Sequence, residues 1–187
     1  ASLRRWAREA PAAGASETLL ESGGIMRDRR SQARRRSVPA AGRVAADPIV
    51  VGRARDLLDR AHILFDNADG VPDDPERFRQ YYLAALRAAG AALAVHELPG
   101  RPRRGATDAW SRTVVVVPEL AREVQVFASL SATRMRIESG IVRTIDPHYV
   151  AAMRVAVTGF LQHVEAHVIA YEQGRVSQGN DSMGRTA

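Results

Sequence analysis

The chain contains neither cysteine nor lysine. Without cysteine there is no disulfide framework and no thiolate metal site. Without lysine, arginine is the whole basic complement, 27 residues against 21 acids. Such a complement fits GC-rich codon usage better than selection for phosphate, so a solvated surface charge is the plain reading of any one arginine. No apolar run approaches the ~20 residues needed to span a bilayer. Residues 1–16, with Arg4, Arg5, Arg8 and Glu9, lack the apolar stretch of a secretion signal. The cytoplasm is therefore the expected compartment, with no membrane partner. A glycine-rich phosphate loop and a Ser-His-Asp arrangement are also missing, and no cofactor is implied.

What is present is enough apolar residue, 45% of 187, for one domain with a core. Charge is unevenly placed. Residues 1–47 carry ten arginines against five acids, residues 48–175 carry sixteen against fifteen, and residues 176–187 balance. The basic excess thus belongs to the N-terminal segment, and the remainder shows no global bias toward nucleic acid. Arg27, Arg29, Arg30, Arg34, Arg35 and Arg36 crowd into ten residues with one acid, Asp28. That density can hold RNA electrostatically and without sequence preference; a solvated basic tail is the plain alternative. Residues 1–46 are rich in Ala, Gly, Arg and Ser without sustained period, and read as a disordered tail. Residues 175–187 are polar and read likewise. Met26 is the first methionine, and a start there would make residues 1–25 upstream translation.

From Asp47 onward the pattern changes to helical periodicity. Three Asp-Pro pairs, Asp47-Pro48, Asp74-Pro75 and Asp146-Pro147, each open a periodic stretch. An aspartate oxygen can accept from the free N–H groups of a first turn, and proline suits the first helical position. Four long helices are predicted. The first runs from Pro48 to about Ala68, with Val50, Ala54, Leu57, Leu58, Ala61, Leu64, Phe65 and Ala68 on one stripe. The second runs from Pro75 to about Glu97, with Phe78, Tyr82, Ala85, Leu86, Ala89, Ala92 and Leu93 on one face; its alanines around Gly90 invite close approach of a neighbour. The third is opened by Thr107-Asp108 and interrupted at Pro118, giving helices over 108–116 and 118–138. Val114 to Val117 lacks a partner strand, so it too reads as helix. The fourth runs from Pro147 to Gln173-Gly174, with Val150, Met153, Val157, Phe160, Leu161, Val164, Val168 and Tyr171 inward. Short connections favour an all-α antiparallel four-helix bundle over residues 47–174.

The segment from Glu76 to Ala94, the stretches Asp108-Ala-Trp-Ser111 and Pro118-Glu-Leu-Ala121, and the end of the last helix, Phe160-Leu-Gln-His-Val-Glu165, resemble a small actinobacterial family of HEPN-type domains. The resemblance covers roughly residues 48–173. It implies a four-helix bundle that often dimerises. It also implies one of three roles: a non-catalytic RNA- or partner-binding module, a metal-independent endoribonuclease, or a dimerisation scaffold. Catalytic HEPN domains carry an arginine and a histidine with four to six residues between them, near the start of the last long helix. Arg143-Thr-Ile-Asp-Pro-His148 has that spacing at that place. The family pattern often has a polar residue directly after the arginine, which here is Thr144.

In such an enzyme His148 would exchange a proton with a 2′-hydroxyl or leaving oxygen, and Arg143 would hold the phosphate, across a cleft between two protomers. The spacing is also expected by chance in so arginine-rich a chain, and it recurs at Arg55 and His62. Those two lie on a polar flank of the first helix and read as solvated. His163 and His167 are spaced as a helical metal pair would be, but no third ligand accompanies them, and they read as boundary residues of the apolar stripe. His96 falls on the second helix's apolar face near its end, as a packed histidine. Arg154 lies at the edge of the last stripe, its head within reach of water. The leading reading is a HEPN-like binding module without robust catalysis.

Overall fold

In the computed structural model, residues 46–97 and 108–174 are described. The readings made for residues 1–45, 98–107 and 175–187, including the six arginines from Arg27 to Arg36, lie outside them. Helices α1 (Pro48–Asp69), α2 (Asp74–His96), α3 (Ala109–Val116), α4 (Ala121–Glu138) and α5 (Pro147–Glu172) follow in order, with a 3-10 turn at Pro118–Leu120 between α3 and α4. The fold is all-α, and no described residue lies in a strand. No helix among the described residues is long and apolar enough to cross a membrane.

Local chemistry sets the helix starts. Asp47 accepts from the Ile49 N–H at 2.9 Å, Asp146 from His148 at 2.9 Å and Asp108 from Ser111 at 2.9 Å. The cap of α2 differs from expectation by one residue. Asp73, not Asp74, accepts from Glu76 at 3.0 Å. Asp74 is the first helical residue and pairs with Arg77 at 3.3 Å. Pro118 breaks the third helix as expected: α3 closes with Val117 N–H donating to Thr113 at 2.8 Å, and the chain re-enters helix at Ala121. Gly140 (φ 68°) and Gly174 (φ 63°) follow α4 and α5 in the left-handed conformation that glycine adopts without strain.

Successive long helices alternate in direction. Asp69, at the end of α1, meets Tyr81 and Arg154 in the first halves of α2 and α5, whereas His96 and His167 meet near the far ends of those two helices. Helix α2 is central and packs on α1, α3, α4 and α5. Its burial is therefore not confined to the single face expected. Tyr81, Ala84, Ala88, Ala91 and Val95 are buried along with Phe78, Tyr82, Ala85, Ala89, Ala92 and Leu93, while Leu86 is only partly covered. Alanine makes this possible, because short side chains let neighbours close in from several directions at once. Between α2, α3, α4 and α5 the core is an aromatic chain. Tyr82 meets Trp110 edge-on at 5.7 Å, Trp110 stacks on Phe127 at 5.6 Å, and Phe127 meets Phe160 at 5.1 Å. The Trp110 indole N–H donates to the Tyr82 hydroxyl at 2.6 Å, which is also 2.7 Å from Ser131 Oγ.

Arg55, which the sequence presents as solvated, is in fact a clamp, and Arg154 forms a second clamp while its head stays half-exposed at the edge of the α5 stripe, as expected. Arg55 holds Glu172 through two hydrogen bonds of 2.6 and 2.7 Å and approaches Glu165 at 3.6 Å, tying the start of α1 to the end of α5. Arg154 holds Asp69 bidentately at 2.9 and 2.8 Å and lies 5.3 Å from the Phe65 ring centre. The Arg154 guanidinium holds the Asp69 carboxyl down at about 2, helped by the Tyr81 hydroxyl, which donates to it. Burial, with the Asp69 charge, pushes Tyr81 up to about 12.

Candidate functional site

The connection from α4 to α5 carries Arg143 and His148. Gly140 reverses the chain, and the N–H groups of Ile141 and Val142 both donate to the Arg136 carbonyl, at 2.9 and 3.0 Å. Arg143 leaves this turn exposed, with its Nε donating to the Gly140 carbonyl at 3.3 Å. His148 is the second residue of α5 and is exposed. Its backbone N–H is spent on the Asp146 cap, but its imidazole makes no hydrogen bond to a described residue. The fold thus brings both side chains to one end of the bundle and leaves both facing solvent.

A second group of histidines gathers at the opposite end, where α2 and α5 finish and α4 begins. His96 Nε2 lies 3.1 Å from His167 Nδ1, with the rings edge-to-face at 5.1 Å. At that distance one nitrogen carries the shared proton and the other accepts it. Burial lowers the pKa of His96, the neighbouring His167 lowers it further, and Glu119 opposes them. One turn away, His163 Nδ1 lies 2.7 Å from Glu123 Oε1. The two α5 histidines therefore point to different partners and do not converge on a common ligand. Among the described residues no group of three or more His, Asp or Glu is placed to hold a metal ion.

Between these side chains lies a groove of about 400 Å³, lined by Glu119, Leu120, Glu123, His163, Ala166, His167 and Ala170. Leu120, Ala166 and Ala170 give it apolar walls, and the two glutamates and two histidines give it a polar rim. Phosphate is disfavoured beside two carboxylates, whereas a cationic side chain with an apolar stem suits both features. Along α5, His148 and His167 are separated by about 28 Å of helix rise. The Arg143/His148 pair and the groove are separate sites.

Sequence reasoning did not find the groove. Its traces were there, in a histidine on the apolar face of α2 and a pair four apart on α5. Nothing in the spacing showed that α2 and α5 run side by side in the same direction. A family model described as SAV_6107-like HEPN matches residues 68–165, just over half of the 187-residue chain. No curated protein and no solved structure matches it.

Proposed function

The chain belongs to the SAV_6107-like HEPN family, and from that premise we propose that it is a helical RNA-binding module rather than a robust catalyst. The observation that carries this reading is the segregation of charge: residues 1–47 hold ten arginines against five acids, while residues 48–175 are nearly balanced. The bundle supplies a scaffold, and the Arg27–Arg36 segment supplies the electrostatic contact. Action in the cytoplasm as a homodimer completes the proposal; the exposed Met135, Ile141 and Val155 side chains support association. The test is binding of single-stranded RNA by the full chain across a salt series, beside a variant with the six arginines from Arg27 to Arg36 changed to glutamine. Each phosphate contact contributes about 0.7 to the slope of log affinity against log salt. The variant should bind weakly with a much flatter slope. Unchanged affinity and slope would refute the reading.

A second reading is favoured by the exposure of Arg143 and His148 at the same turn, where a second protomer would complete a cleft. The enzyme would be a metal-independent endoribonuclease. His148 would accept the 2′-hydroxyl proton, the 2′-oxygen would attack phosphorus, and the 5′-oxygen would leave, giving 2′,3′-cyclic phosphate and 5′-hydroxyl ends. Cleavage in EDTA that falls ~10²-fold or more with His148→Ala, and is also lost with Arg143→Ala in folded protein, would replace the first reading with this one.

A further inference from the structure

We propose that the groove between α4 and α5 is a docking site for the chain's own arginine-rich segment, residues 27–36. Chemistry, entry point and reach support it independently.

The groove selects for arginine. Glu119 and Glu123 rim it, and among the described residues no arginine pairs with either and the exposed His163 is the one ionic partner of Glu123. A guanidinium can hold a carboxylate bidentately, and its aliphatic stem can lie along Leu120, Ala166 and Ala170. The Arg27–Arg36 segment offers six arginines and one acid.

The chain enters the bundle at the same end. The Asp47 N–H lies 3.4 Å from the hydroxyl of Tyr171, the neighbour of the groove residue Ala170. Arg55 fixes this end of α1 to Glu172 and Glu165. Helix α1 packs along α5, so the preceding chain has about one helix width, ~10 Å, to cross. Arg36 lies ten residues before Ala46, a span of up to ~33 Å when extended. Proximity at this length gives a high effective concentration, so weak pairings suffice. The pairings are rim-exposed and salt-sensitive.

Because the chain has no cysteine, paired cysteines report docking cleanly. Ser31→Cys, inside the arginine-rich segment, is combined in the full chain with Ala166→Cys in the groove, or with the exposed Ala151→Cys at the far end of α5 as control. Both targets are within reach of residue 31, and a short bis-maleimide is used without RNA. The expected result is intramolecular cross-linking several-fold faster to position 166 than to 151. That preference should fall to the lower level set by proximity to the entry point alone in high salt, in Glu119→Gln/Glu123→Gln, and in Arg34→Glu/Arg35→Glu/Arg36→Glu, which leaves the bundle untouched. Equal rates to both positions, a preference left undiminished by all three changes, or cross-linked dimers in place of intramolecular product would each overturn the proposal. Docking does not rest on RNA binding, and the RNA-free readout keeps the two outcomes separate.

Discussion

Replacing Gly90 with alanine should stabilise the domain. Gly90 lies inside α2, where glycine costs ~1 kcal/mol relative to alanine because it loses more backbone freedom on folding. An added Cβ would sit 3.6 and 3.8 Å from the two terminal methyls of Leu57 on α1, which is ordinary van der Waals contact. The close approach that the sequence assigns to the alanines around Gly90 is made by the fully buried Ala84, Ala85, Ala88, Ala89, Ala91 and Ala92, and Gly90 itself is only half-buried. The gain should be ~1 kcal/mol, or ~3–6 °C in thermal midpoint for a domain of this size. Ala88→Leu should do the reverse, losing ~1–3 kcal/mol or more by overpacking a site with no free surface. Urea denaturation of the full chain, read as a shift in midpoint at constant slope, measures both. A lower midpoint for Gly90→Ala would show that the α1–α2 spacing is set at Gly90 and that the alanine-seam reasoning is wrong.

Leu161→Asp should abolish cooperative unfolding by burying an unpaired carboxylate among α5 core residues, whereas Arg154→Ala, whose ion pair is largely exposed, should cost only ~1 kcal/mol; equal thermal midpoints would refute the α5 orientation. Asp69 is held at about 2, below its ordinary 3.8, so its stabilisation is full above 3.8 and is lost as pH falls toward 2. Asp69→Asn should therefore be less stable at neutral pH and show a flatter acid limb; parallel acid limbs would count against the clamp. His96 is shifted downward, so the folded state binds fewer protons than the unfolded chain, and stability should fall as pH drops below 6.5. His96→Gln should reduce that loss in pH-resolved thermal melts, and an unchanged profile would place the titration elsewhere.

The resemblance to HEPN domains was legible in the sequence because it rests on helices whose starts and stripes are local properties. Asp47, Asp108 and Asp146 cap the helices they precede, Pro118 interrupts the third, and the stripe of α5 is buried from Val150 to Val168. Each follows from hydrogen-bond groups within a few residues, or from a 3.6-residue period within one element. The one-residue shift of the α2 cap to Asp73 is the limit of that reasoning, since two adjacent aspartates offer the same oxygen and only backbone geometry chooses between them.

Tertiary structure alone decided the rest. Arg55 and Arg154 became clamps, α2 was buried on several sides, and His96 met His167 across 71 residues of chain. Those outcomes depend on which helices are neighbours and how each is rotated about its axis. Periodicity fixes the apolar face of a helix, but it does not carry the identity of the surface that will cover it.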